Sequence, residues 1–228
     1  PPKSLGMIER SDMEIMERVG TFFPRPHPLA VTPNGEHAFI ASLGTNQLMG
    51  IDTDTRETQL TRLEGTTQTP VQFAATADGS TLIAGGQKTG QLLVFDASEA
   101  PALSVTDTLA VGSQPWHPVI GRQSGLAYVP NKMSNSISVV DVDNASVQAT
   151  IRGDGLAQPH GTVLSADGRH LFVSNNNREG TYEPRGDNPE AGTVTVIDTR
   201  TNEIVKVIEV GTYPTGIGPF GGGQPTGS

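Results

Sequence analysis

Apolar and polar residues alternate along this chain in short runs, each closed by a turn pair. The clearest run is Pro159 to Asn175. It alternates up to Leu164, breaks at Asp167-Gly168, and resumes with the apolar run Leu171-Phe172-Val173. That pattern predicts strand, tight turn, strand. The phrase recurs at Pro26 to Gly35 and at Pro70 to Gly79, with a weaker copy from Trp116 to Gly125. The turn glycines 35, 79, 125 and 168 lie 44, 46 and 43 residues apart. A period of that size with several strands per repeat points to a β-propeller.

A second phrase fills the rest of each period. Its copies are Asn46 to Asp52, Gly90 to Asp96, Asn135 to Asp141 and Gly192 to Asp198, with Lys3 to Glu9 resembling them. Each ends in an acid, followed by a polar turn and an alternating fourth strand, as at a sheet edge with one wet face. The closing acids Asp52, Asp96, Asp141 and Asp198 are expected to accept backbone N–H bonds in those turns. His37 and His170, just after the tight turns, are expected to face solvent.

The predicted fold is all-β: a propeller of four-stranded blades, about four and a half of them present. A single propeller domain over 1–220 divides into the end of a blade (1–20), blades at 21–67, 68–112, 113–152 and 153–210, and the start of a further blade (211–220). Residues 221–228 read as a flexible tail. Residue 1 falls inside a repeat, so the chain is expected to continue upstream.

Composition narrows the function classes. High Gly (27) and Pro (17) suit short strands and turns. A net charge of −9 argues against a nucleic-acid surface. With no cysteine there is no disulfide, thiolate site or CxxCH haem attachment. No apolar run reaches transmembrane length. No phosphate loop, nucleophile elbow or HExxH motif is present.

Two features carry candidate chemistry. His27, His117 and His160 each follow the Pro or Trp that opens an innermost strand. One repeat position maps to one ring around a propeller axis, so three imidazoles would face the channel mouth, with Trp116 beside them in a pocket. Three nitrogen ligands with an open position would suit copper or another transition metal. The competing reading is that these histidines only hydrogen-bond backbone where the blade begins. The second feature is the long connector 175–191, where Asn176, Arg178, Tyr182, Arg185 and Asp187 would form an interaction loop.

The phrases Ala30 to Ser42, Val163 to Asn175 and Thr193 to Gly211 resemble the YVTN-repeat, or YncE-like, β-propellers. The resemblance spans nearly all of residues 3–220. It implies a ring that is seven-bladed when complete, a periplasmic or secreted location, and kinship with the haem d1 domain of cytochrome cd1 and nitrous oxide reductase-type propellers. A binding or scaffold role follows, including that of a subunit in a redox assembly, with a protein partner or small-molecule ligand at the propeller face. The alternative is a metal oxidoreductase of copper type centred on the histidine ring.

Overall fold

In the computed structural model, which describes residues 3–218, the tight turns set the pattern. Gly35, Gly79, Gly125 and Gly168 all have positive φ, between 65° and 81°. That conformation costs a side-chain-bearing residue and costs glycine little. In three of these turns a hydroxyl fixes the start of the next strand. Thr32, Thr76 and Ser165 accept from the amides of His37, Thr81 and His170 at 3.0–3.1 Å.

Four antiparallel four-stranded sheets follow one another along the chain, after a two-stranded one, and there is no α-helix among the described residues. The two-stranded sheet is β1 (Ser4–Ile8) and β2 (Ile15–Gly20). The first blade is β3 (Pro26–Val31), β4 (His37–Ser42), β5 (Gln47–Asp52) and β6 (Thr58–Arg62). The second is β7 (Pro70–Ala75), β8 (Thr81–Gly86), β9 (Gln91–Asp96) and β10 (Ser104–Ala110). The third is β11 (Val119–Ile120), β12 (Leu126–Asn131), β13 (Ser136–Asp141) and β14 (Ser146–Ile151). The fourth is β15 (Pro159–Leu164), β16 (His170–Asn175), β17 (Ala191–Asp198) and β18 (Glu203–Thr212). Strands pair in sequence order within every blade. The expected tail 221–228, with 219 and 220, lies outside the described residues.

The two central strands of each blade are largely apolar, and consecutive blades pack these faces on one another. Phe39 and Leu48 of the first blade meet Phe73, Leu82, Leu93 and Phe95 of the second. Ile83, Leu92 and Val94 of the second meet Ala127, Val129 and Val140 of the third. Tyr128, Ile137 and Val139 of the third meet Leu171, Val173 and Ile197 of the fourth. Each such side chain removed from water contributes about 1.5–3 kcal/mol before entropy is counted. The outermost strands are largely exposed, as their alternation predicts.

The closing acids do what their regular spacing suggests. Asp52 Oδ1 accepts from Asp54 N and Thr55 N, Asp96 Oδ1 from Ser98 N, Asp141 Oδ1 from Asn144 N, and Asp198 Oδ1 from Arg200 N. All four carboxyls are held below the usual carboxylate range, Asp52 and Asp198 chiefly by such backbone bonds, Asp96 and Asp141 first by side-chain bonds from Ser98 and Asn144 and then by the backbone ones. His37 and His170 are half-buried rather than solvent-facing. Each lies in cross-strand register with a closing acid, His37 with Asp52 and His170 with Asp198.

Candidate functional site

The site forms at the end of the blades where innermost strands begin. A residue with positive φ precedes each opening proline: Arg25, Thr69, Gln114, Gln158 and Tyr213, all between 51° and 55°. None is glycine, so each carries a local backbone cost that the surroundings must offset. In the four blades the offset is a hydrogen bond. The carbonyls of Arg25, Thr69, Gln114 and Gln158 accept from the amides of Leu43, Gln87, Lys132 and Asn176, at 2.9–3.2 Å. The segment leading into each blade is thereby tied to the connector between its second and third strands.

Strand register corrects the grouping of the histidines. Pro26 pairs with Ser42, Pro70 with Gly86, Pro115 with Asn131 and Pro159 with Asn175. The position after the opening proline therefore holds His27, Val71, Trp116 and His160. His117 stands one residue further on, opposite Pro28, Gln72 and Gly161 in the other blades. Pro115, not Trp116, opens the third blade. The spacing misled because Trp116-His117-Pro118 imitates Pro26-His27-Pro28.

The fold nevertheless brings His117 and His160 together. Their ring centres are 4.8 Å apart, edge to face at 74°. Trp116 lies 5.1 Å from the His160 ring and 6.0 Å from that of His117, nearly parallel to the latter. The His117 amide points at the His160 carbonyl, at 3.4 Å, and Thr162 Oγ1 donates to the His117 carbonyl at 2.6 Å. The Lys132 ammonium caps the cluster, 4.9 Å from the centre of the Trp116 ring. Lys132 belongs to a 3-10 turn, Lys132–Ser134, between β12 and β13. Nothing in the local sequence marks it; only the tie from its amide to Gln114 places it over Trp116.

Burial sets the charge state here. His117 is held down to about 4, first by desolvation and then by electrostatic interaction with His27 and Lys132. His160 is also held at about 4, by desolvation and then by His117 and Lys132, with the Thr215 carbonyl partly opposing. Both imidazoles are neutral at pH 7. Desolvation lowers Lys132 from the ordinary lysine value, Arg178 lowers it further, and Glu179 partly offsets them. Two polar atoms in the cluster are buried with no hydrogen-bond partner: Trp116 Nε1 and His160 Nδ1.

A three-histidine metal centre does not fit this arrangement. His27 is exposed and forms no ring contact with His117 or His160, whose rings meet edge to face at 74°. Among the described residues no group of three His, Asp or Glu side chains is placed to hold a metal ion.

The 175–191 connector is strapped down. Asn177, buried, donates from Nδ2 to the carbonyls of Tyr182 and Ala191 and accepts from Tyr182 N, each at 2.9 Å. The Tyr182 hydroxyl donates to Glu209 Oε1 at 2.9 Å. Glu209 also accepts from the amides of Arg185 and Gly186. Tyr182 and Asn176 are thus buried anchors, not contact residues of an interaction loop. Arg178, Arg185 and Asp187 remain exposed. Arg185 pairs with Asp154 at 2.7 Å, and the Arg178 guanidinium sits 5.2 Å from the centre of the Tyr213 ring. Glu209, read from sequence as one more residue of an edge strand, is the fastener that spacing alone does not reveal.

No family model matches the chain. It is 33% identical to Antigen Lp49 of Leptospira interrogans over 115 residues, which are 49% of this chain and 24% of that protein. Among solved structures it is similar to hydrazine synthase of Kuenenia stuttgartiensis, with TM-score 0.69 and 21% identity over 86% of this chain and 52% of that one. It is also similar to U3-55K, with TM-score 0.63 and 17% identity over 80% of this chain and 51% of that one. The chain spans about a quarter of the curated relative and about half of each solved one. Likeness at these identities carries the architecture and not the activity: by fold, this chain is a β-propeller.

Proposed function

We propose that the chain is a binding propeller of YVTN type, working outside the cytoplasm, and that its working face is the end bearing Trp116, His117, His160, Lys132 and the 175–191 connector. The observation that carries this reading is the pair of buried, unpartnered atoms, Trp116 Nε1 and His160 Nδ1, in one aromatic cluster. A buried donor or acceptor without a partner costs about 1–3 kcal/mol, a cost that selection tolerates where a ligand relieves it. The opposite end has isolated buried atoms of this kind, Arg56 Nη1 and Asn202 Oδ1, but each sits alone in a separate turn and not in an aromatic cluster. Around the Asp-Gly turns there, hydroxyls and acids satisfy one another, as Thr76 with Asp78 and Ser165 with Asp167. The extracytoplasmic setting is supported by the repeat phrases alone. Membership in a larger redox assembly draws its support from the fold likeness to a hydrazine synthase chain.

Hydrogen–deuterium exchange in the presence of a small-molecule extract and of candidate partner proteins tests the face. Protection gathered at 113–117, 132–135, 157–160 and 176–190 is the expected outcome. Protection confined to the Asp-Gly turns at the other end would overturn the reading.

A further inference from the structure

We propose that the Trp116–His117–His160–Lys132 cluster is a site for a small organic carboxylate. The inference rests on the working face proposed above and names the ligand class that face would take.

The geometry points to an anion with planar oxygens. Trp116 Nε1 can only donate, and it is buried with no acceptor. A neutral imidazole carries a single N–H, which the Thr215 carbonyl draws at His160, so the unpartnered His160 Nδ1 can only accept, from a protonated acid or a hydroxyl on the ligand. The Lys132 ammonium, 4.9 Å from the indole centre, adds three donors on a flexible stem. Two carboxylate oxygens can accept from both the indole and the ammonium. The charge balance agrees. Lys132 and Arg178 oppose one another's charge, and Glu179, the acidic side chain acting on Lys132, offsets this only in part. A monoanion there would relieve that repulsion, in a protein whose net charge is otherwise −9. The Trp116 and His117 rings, stacked at 23°, supply a flat apolar wall for a short alkyl or aryl body.

Phosphate fits less well. Phosphate sites are built from clustered backbone amides and bidentate arginines. This cluster presents an indole, neutral imidazoles and one lysine. Lys132 is half-buried and long, so it can swing aside to admit a ligand and then close on it.

Trp116 is the only tryptophan, so intrinsic fluorescence reports on this site alone. Sodium benzoate and sodium succinate are titrated at constant ionic strength, with sodium chloride and sodium phosphate as comparisons. A saturable change with either carboxylate, absent with chloride and at least tenfold weaker with phosphate, is expected. Lys132→Met should weaken the response tenfold or more, and Arg178→Met by a smaller factor. Lys206→Met, on the outermost strand β18, should leave it unchanged. An equal response to phosphate or chloride, no response to either carboxylate, or an undiminished response in Lys132→Met would overturn the proposal. If the carboxylates fail while exchange protection still gathers on this face, the ligand class is wrong and the working face stands. If protection appears only at the opposite end, the working face itself falls.

Discussion

A neutral imidazole packed against another is a store of pH sensitivity. His117 and His160 are held at about 4, against an ordinary value near 6.5. Between those values the unfolded chain binds protons that the folded chain refuses. Stability is therefore fully present above pH 6.5, falls as pH drops through that window, and levels off below about 4. After allowance for partial solvent screening, each histidine contributes on the order of 1–2 kcal/mol to that loss. Urea midpoints measured between pH 7.5 and 4.5 should fall accordingly, and the fall should shrink in His117→Gln and in His160→Gln. A flat midpoint in the parent protein would show that neither imidazole is buried in solution. The closing acids, held below the usual carboxylate range, add their own loss only from about pH 5 downward, as the unfolded chain's carboxylates begin to protonate, so the upper part of the window reports the histidines.

Elements differ in how plainly they announce themselves. The hairpins were legible because Asp-Gly turns and period-two alternation are local signals. The start of the third blade was not. Its innermost strand is only Val119–Ile120, and Trp116-His117-Pro118 mimics another blade's opening one residue out of step. The long connector was legible as an insertion but not as a strapped one, since its fastener, Glu209, lies on the far side of β17 in sequence. That strap makes a prediction. Both amides flanking the Arg185–Gly186 bond region, those of Arg185 and Gly186, donate to Glu209. A protease must pull this segment out of such a hold to cut it. Glu209→Gln leaves one weaker acceptor and should speed tryptic cleavage after Arg185 several-fold, with little change in melting temperature. An unchanged cleavage rate would mean that Asn177 and the Arg185–Asp154 pair suffice to hold the connector.

The whole molecule depends on how closely one blade approaches the next. Gly50, in the middle of β5, shows the tolerance: a Cβ there would sit 1.9 Å from the backbone carbonyl of Pro101 in the second blade. Backbone cannot yield as a side-chain tip can, so Gly50→Ala should destabilise by about 3 kcal/mol or more. Gly6→Ala, in β1, meets nothing within 4 Å and should leave the melting temperature nearly unchanged. Equal behaviour of the two variants would refute the close approach. Sequence could mark Gly50 only as an oddity in an apolar strand, because its reason lies on a neighbouring blade. The five left-handed residues before the opening prolines have a different bearing. Backbone bonds from each blade's own connector fix four of those positions, so the backbone there does not depend on which side chain comes next. The chain uses that freedom for His27, Val71, Trp116, His160 and Thr215. One backbone frame, repeated blade by blade, thus presents a core valine in one place and an aromatic cluster in another.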